Sequence, residues 1–333
     1  MKTNERLSKV EPALSVVFCT RNRPQELLAA VKSVTQGQEA DFPVELLIVD
    51  DGLLDEQTLH DIESQAKKAG FAFAYANKRE RAGLLQSRVE ALRHARYGIV
   101  LFLDDDVELL PGYLARLMTH YRSDATLAGA GGVDVLEPRA PLLRRLFEYV
   151  ILFRSFQLGR YSWSGFGGGM DAWRFQPRPF KVDFLYGCNM SFRRSALSEL
   201  KSAAWFNSYS IGEDMYVSNC ASRAGSLLVD PQLLVKHHQA ATARDREEDV
   251  ARTRIVNHFL LLKARGAGAA RMGGFLWTAL GFAVLHGTGA VAKTVLARRS
   301  TGWERAQGTL KGVGTVFRSL LADSGTIATK SVS

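Results

Sequence analysis

Three consecutive acids, Asp104-Asp105-Asp106, stand at the end of the apolar run Ile99-Val-Leu-Phe-Leu103. Such a run, bounded by Gly98, reads as a buried parallel strand. Open α/β sheets bind ligands at the carboxyl ends of their strands. Adjacent carboxylates repel one another, and a hard divalent cation such as Mg2+ or Mn2+ relieves the repulsion. For this stretch alone the competing reading is an acidic turn in which one Asp caps the next helix. Downstream, Gly212-Glu213-Asp214 places two acids at a helix start. They complement the helix dipole, or one of them faces a pocket and accepts a proton. His237-His238 follows a short apolar strand, where an imidazole can complete a metal site. The pair leaves open which ring would do so.

These residues need a scaffold, and the pattern supplies one. Leu14 to Cys19, Val44 to Val49, Phe71 to Tyr75 and Ile99 to Leu103 read as strands, with helical stretches between them. Regular alternation of this kind argues a doubly wound parallel sheet. Its carboxyl edge would gather Thr20-Arg-Asn-Arg-Pro24, Asp50-Asp51-Gly52, the loop Asn77 to Gly83 with Arg81, and the three aspartates. Pro24 suits a helix start, and helix N-termini flanked by arginines attract phosphate. The helix after Gly83 carries Arg88, Arg93 and Arg96. No G-x-G-x-x-G follows the first strand and no G-x-x-x-x-G-K-[ST] occurs, which excludes a dinucleotide Rossmann site and a P-loop.

Further along, Leu127 to Val135 reads as a glycine-weakened strand and Leu142 to Phe156 as a basic, aromatic, apolar helix suited to a core or to a membrane surface. Gly165 to Gly169 reads as a flexible loop, with a lid over the site as its functional version. Val182 to Phe192 alternates as one strand. Leu227 to Pro231 and Leu233 to His238 read as two short ones. From Ala243 the chain is charged and helical to about Arg265. Met272 to Ala292 then contains no Asp, Glu, Lys or Arg, a length that meets the ~20 residues of a membrane span. Its glycines, threonines and His286 favour a surface-lying or re-entrant hairpin over a full span. The tail, with Lys293, Arg298, Arg299, Arg305, Lys311 and Arg318, is basic and amphipathic.

The 333 residues include 43 basic and 34 acidic side chains, a net charge of +9 that favours anionic partners. The positives are dispersed and no nucleic-acid motif occurs, so nucleic acid is not expected as a partner. Three scattered cysteines without a CxxC fit a reducing compartment and no zinc or disulfide framework. The polar stretch Met1 to Lys9 does not resemble a signal peptide. These features place the expected catalytic body at the cytoplasmic face of the cell membrane.

Taken together, from about Ser15 to His238, the motifs resemble an inverting family 2 glycosyltransferase with the GT-A fold. Ser15 to Pro24 looks like the family's first strand and nucleotide-binding turn, and Val49-Asp-Asp-Gly52 like its base-recognising acid motif, with Leu53 where Ser is frequent. Arg81-Ala-Gly83 resembles the diphosphate-side loop, and Phe102-Leu-Asp-Asp-Asp106 the Asp-x-Asp metal motif. Gly187-Cys-Asn-Met-Ser-Phe-Arg-Arg194 resembles the acceptor-side segment, and Gly212-Glu-Asp214 the motif carrying the base.

The resemblance implies an α/β, GT-A-type nucleotide-diphospho-sugar transferase fold with a mostly parallel doubly wound sheet. The implied layout is a tail at 1–12 and a transferase domain at 13–240, with its nucleotide-sugar half at 13–135 and its acceptor half at 136–240. A helical, membrane-associating extension follows at 241–333. The resemblance further implies Mg2+ or Mn2+ held by Asp106 with Asp104 in support and His237, or equally His238, as third ligand. Thr20, Arg23, Asp51, Arg81, Asp104 and Asp105 would serve the donor, Asp105 by contact if it does not point away. Asp214 would be the base, and the acceptor a glycan or a lipid-linked sugar. A sugar nucleotidyltransferase shares the nucleotide fold and metal but usually carries a glycine-rich basic first loop, which Thr20 to Pro24 lacks. A non-enzymatic basic protein binding lipid or nucleic acid is the remaining alternative.

Overall fold

A computed structural model describes residues 13–78, 83–203, 206, 211–239, 246–297 and 302–330. The tail 1–12, Arg81, the start of the charged stretch at Ala243, and Arg298 and Arg299 lie outside the described residues.

The first third folds as its periodicity expects: β1 (Leu14–Thr20), α1 (Pro24–Gln36), β2 (Val44–Asp50), α2 (Glu56–Lys68), β3 (Ala72–Asn77), α3 (Leu84–His94) and β4 (Ile99–Asp104). β1 lies between β2 and β4, with β3 outside β2, all parallel. Every residue of β2 is buried, as helices on both faces require. Pro24 opens α1, where its missing N–H is not needed, and Asp55 caps α2 by accepting from the Thr58 N–H at 2.8 Å.

The chain continues through β5 (Val107–Leu109), α4 (Tyr113–Ser123), β6 (Leu127–Asp134), α5 (Leu142–Val150), β7 (Phe180–Val182), β8 (Asn189–Arg193), α6 (Glu213–Ala221) and β9 (Ser226–His237). One sheet results, in the order β3-β2-β1-β4-β8-β6-β9-β5, with β7 paired to β9. The expected parallel arrangement holds for β1 to β4, but the second half is mixed. β8 runs antiparallel to both β4 and β6, and β5 and β7 run antiparallel to β9. A helical crossover returns a strand in parallel, whereas β8 follows β7 through the short stretch 183–188 with no helix between. The single strand expected over Val182 to Phe192 is accordingly divided. Gly187 turns out of the sheet against the start of α6, where an added Cβ would stand 3.2 Å from Asp214 Cβ. Conversely, the two short strands expected around Pro231 are one, β9. Pro231 sits where the pairing with β6 is irregular, so its missing donor breaks no ladder bond.

The glycine-rich loop is no lid. Phe166 is fully buried, and a Cβ at Gly167 would approach the Phe184 ring to 2.6 Å. These glycines are small because the loop is packed into the body.

Three helices complete the chain: α7 (Glu247–Ala264), α8 (Ala269–Ala297) and α9 (Trp303–Lys330). α9 approaches α7 closely through Gly308, where a Cβ would meet Glu248 O at 2.1 Å. α8 contains a stretch long and apolar enough to cross a membrane, Ala269–Ala292, with a third of its window buried. Phe275, Ala279 and Phe282 on α8 share a core with Ile151, Phe166, Ile255, Phe259 and Val316. Thr278 Oγ1 donates to Ile151 O at 2.6 Å and Trp277 Nε1 to Val150 O at 2.9 Å. One face of α8 therefore lies along the body.

α7 also reaches the start of α6. Asn257 Nδ2 donates to Ile211 O at 2.9 Å, and His258 lies beside Gly212 and stacks on Phe166 at 4.4 Å. Burial drives the His258 imidazole down to about 4, below its ordinary value. Because the unfolded chain takes up this proton first, stability is full above about pH 6.5 and falls as the pH drops toward 4. We expect denaturant titrations to show this loss on going from pH 7 to pH 5. His258 would account for about 2 kcal/mol of it, a share that His258→Phe removes.

Candidate active site

Thr20, Asp51 and the three aspartates lie at the carboxyl edge of the parallel strands, with Arg23, His237 and Asp214 on the segments beside it. Arg193 and Arg194 of the β8 motif lie at the opposite edge. The three aspartates diverge. Asp105 is buried and turns toward the end of β1. Its Oδ2 accepts from Thr20 Oγ1 at 2.7 Å and its Oδ1 from Arg23 Nη1 at 3.1 Å. Burial raises its pKa to about 6, against the pull of Thr20 and Arg23. Asp106 turns the other way, placing Oδ1 3.1 Å from His237 Nε2, while Oδ2 is 3.7 Å from Arg23 Nη1. Asp104 Oδ2 is 4.0 Å from the same His237 nitrogen. Ligand atoms of Asp104, Asp106 and His237 all lie within 4.8 Å of one another. Two carboxylate oxygens and one imidazole nitrogen suit Mg2+ or Mn2+, with coordination positions left for a further ligand.

His237, not His238, joins the carboxylates. β5 pairs with β9 so that Val107 lies opposite His237, which brings the ring to Asp106. His238 is exposed and turns to Glu108, with Nε2 3.3 Å from Oε2. Burial alone would lower the pKa of His237, but the Asp106 contact and the charges of Asp104 and Asp106 raise it.

On the other flank, Asn22 at a left-handed φ of 56° accepts from the Leu53 N–H at 3.3 Å, tying the β1 and β2 turns together. Asp50 is wholly buried and organises its own turn by accepting from Gly52 N and Leu54 N. Asp51 instead pins the loop after β3. Its Oδ1 meets Lys78 Nζ at 2.8 Å and its Oδ2 accepts from Gly83 N at 2.8 Å. Arg81, in that same loop, lies outside the described residues. Lys78 was not singled out from the sequence, where it is one cation in a charged loop.

Arg88, one basic position of its helix in the sequence, takes a role that the residues alone do not announce. Its side chain is among the largest fully buried ones, at 1% exposure. Nη1 pairs with Glu213 Oε2, while Nη2 donates to Gly187 O at 2.8 Å and lies 3.3 Å from Asp104 Oδ1. One guanidinium thus links the β4 acid, the Gly187 turn and the start of α6. A signal existed: Leu85, Arg88 and Ala91 fall at a spacing of three on the buried face of α3, unlike exposed Arg93. Next to Glu213, Asp214 is half-buried, with Oδ1 accepting from Met215 N at 2.8 Å. Burial raises the Asp214 pKa, with that N–H opposing the shift. Gly212, at φ 85°, supplies the left-handed turn that starts α6.

Removing one partner of a buried pair leaves the other charge uncompensated. Arg88→Met should lower unfolding stability by about 3–5 kcal/mol. Arg88→Met combined with Glu213→Gln should recover much of that loss in urea titrations. An additive double variant would mean the two groups are not energetically paired.

Comparison with solved structures sets this geometry in context. A mannosyltransferase (PcManGT) from Pyrobaculum calidifontis, determined with GDP-Man and Mn2+, superposes with a TM-score of 0.53 at 18% identity, over 92% of this chain and 88% of its own. GalNAc-T7, determined with UDP, GalNAc and Mn2+, gives 0.52 at 17% identity over 75% of this chain and 48% of its own. At such identities the likeness is one of fold. The fold is that of the GT-A type. The chain belongs to glycosyl transferase family 2, whose model matches residues 15–201. Polypeptide N-acetylgalactosaminyltransferase 5 of Caenorhabditis elegans is 26% identical over 149 residues, 44% of this chain and 22% of that protein. The chain thus matches about a fifth of that relative's length.

Proposed function

We propose that this glycosyltransferase moves a sugar from a nucleotide-diphospho-sugar to an acceptor hydroxyl with inversion, in a reaction dependent on Mg2+ or Mn2+. The observation that carries the reading is the cluster Asp104, Asp106 and His237, coupled through Arg88 to the start of α6 where Asp214 stands. Bound there, the cation would neutralise charge gathering on the departing diphosphate. Arg23 adds a positive charge beside Asp106, and Thr20 and Asp51 line the nucleotide side, with Asp105 held between Thr20 and Arg23. Asp214 takes the proton from the acceptor hydroxyl as that oxygen bonds to the anomeric carbon and the bond to phosphate breaks. Its raised pKa makes it the stronger base. One displacement with one base inverts the anomeric centre. The ligands named in the two comparison structures support donor and metal alike.

Asp214→Asn should lower transfer by about 10²–10⁴-fold while leaving the thermal shift given by nucleoside diphosphate and Mn2+ intact. Full transfer by this variant would remove Asp214 as the base. Asp106→Ala should abolish the metal-dependent part of that shift, and NMR of the product should show the anomeric configuration opposite to the donor's.

The acceptor in this reading is a glycan or lipid-linked sugar in surface polysaccharide or glycolipid synthesis, reached at the cytoplasmic face of the cell membrane. Support comes from a broad exposed apolar face. Leu143 and Val150 on α5, at 81% and 63% exposure, and Trp277, Leu280 and Val284 on α8 are all exposed, and Trp277 joins the two helices by its bond to Val150 O. An area of this kind beside exposed Arg144 suits an interfacial, surface-lying attachment. Vesicles of phosphatidylglycerol and phosphatidylcholine should sediment the protein, and Leu143→Asp with Val150→Asp should release it. A carbonate wash should strip the wild type from native membranes; retention would point to a true span.

A further inference from the structure

A small cavity lies between β6, the turn at 170–174 and Tyr186, with Asp134, Glu137, Trp173 and Arg174 in its wall. Its free space of about 10 Å³ admits one water and nothing larger. Three buried side-chain atoms in and beside the wall have no hydrogen-bond partner: Asp134 Oδ2, Arg174 Nε and His237 Nδ1. Asp134 is 4% exposed, and its Oδ1 already accepts from Leu136 N at 2.9 Å and from His237 N at 3.1 Å. Arg174 uses Nη1 to bond Val135 O at 2.6 Å. His237 stands at the rim, its ring edge-on to that of Tyr186 at 6.3 Å. Orphaned groups at this burial cost free energy unless something polar completes them.

The chemistry of the three atoms narrows what that something is. Asp134 Oδ2 only accepts and Arg174 Nε only donates, yet the two are not bonded to each other. A cation here would be repelled by Arg174, and an anion by Asp134. Among the described residues, the one group of ligand atoms close enough to hold a cation is Asp104, Asp106 and His237, so the cavity is no second metal centre. A neutral molecule that both donates and accepts is left, and the space limits it to water. Buried waters typically make about three hydrogen bonds, which matches the three open groups.

His237 sets the direction of those bonds. Its Nε2 faces Asp106 Oδ1 at 3.1 Å, and to hold a cation in that cluster it must present a lone pair. The ring proton then sits on Nδ1 and needs an acceptor. Resting on the metal reading above, we infer that one buried water joins the three atoms. It accepts from Arg174 Nε–H and His237 Nδ1–H and donates to Asp134 Oδ2. Asp134 and Arg174 are thereby positioning residues. They fix the water, and the water fixes the tautomer and plane of the imidazole before the cation arrives.

The test uses the full chain loaded with UDP or GDP. A crystal structure with Mn2+, at a resolution that shows ordered water, should place one water within hydrogen-bond distance of all three atoms. Mn2+ titrations followed by EPR should show Asp134→Asn holding the metal about 10–100-fold more weakly. Because Oδ1 must go on accepting two N–H groups, the amide nitrogen takes the place of Oδ2 and turns a donor to the water. Arg174→Met removes a different bond to the same water and should weaken Mn2+ binding by roughly 3–10-fold. Asp230→Asn is the control. Asp230 is as buried, on β9, but bonds to Arg116 and His120, and its variant should hold Mn2+ as the wild type does. A crystal without the water overturns the bridge, and Mn2+ affinity unchanged in either folded variant overturns the positioning role. So does an equal loss in Asp230→Asn, which would mark a general loosening. A wild type that binds nucleotide but no Mn2+ would bring down the metal reading, and the positioning role with it.

Discussion

The geometry of the candidate site depends on one buried cation. Arg88 sits where three chain segments with no sequence relation converge: the tip of β4, the turn before β8 and the start of α6. In a low-dielectric interior a lone guanidinium would be prohibitive, and so would Glu213 and Asp104 without it. Each group is therefore tolerable only because the others are present. That mutual requirement makes the arrangement all-or-none and holds the metal-type cluster and Asp214 at a set separation. Phe102, under the guanidinium at 5.7 Å, adds a cation–π contact from the strand itself.

The same logic of local sequence serving distant needs explains the glycines that matter. Gly187 and Gly212 bracket Asp214: one removes a side chain so that a turn can approach, the other takes a left-handed backbone. Neither requirement comes from neighbours in sequence. Gly132 is a third case, since a Cβ there would stand 1.9 Å from Leu233 O and force β6 from β9. That pairing is what delivers Asp134 and His237 side by side.

What could be read from residues alone follows from which interactions are local. β1 to β4 were legible because strands buried on both faces must be unbroken apolar runs, and the acids ending them stand out against that background. The divided strand at 183–188 was not legible, because its alternation is that of a strand and only the start of α6 pulls it away. Choosing His237 over His238 required the register of β5 on β9, a long-range pairing that neither histidine announces. Arg88 was visible as an arginine but not as a buried one until the helix period was weighed.

The motifs end at His238, yet the hydrophobic cluster under the glycine loop is completed by Ile255, Phe259 and Leu262 of α7 and by side chains of α8 and α9. His258 and Asn257 stand directly beneath the turn that opens α6. The surface that would meet a bilayer and the turn that carries the acid are thus two sides of one packed layer. Whatever meets the exposed side of α8 would therefore bear on the layer packed beneath the turn that carries Asp214. In the interfacial reading proposed above, adsorption and turnover would share that one mechanical element.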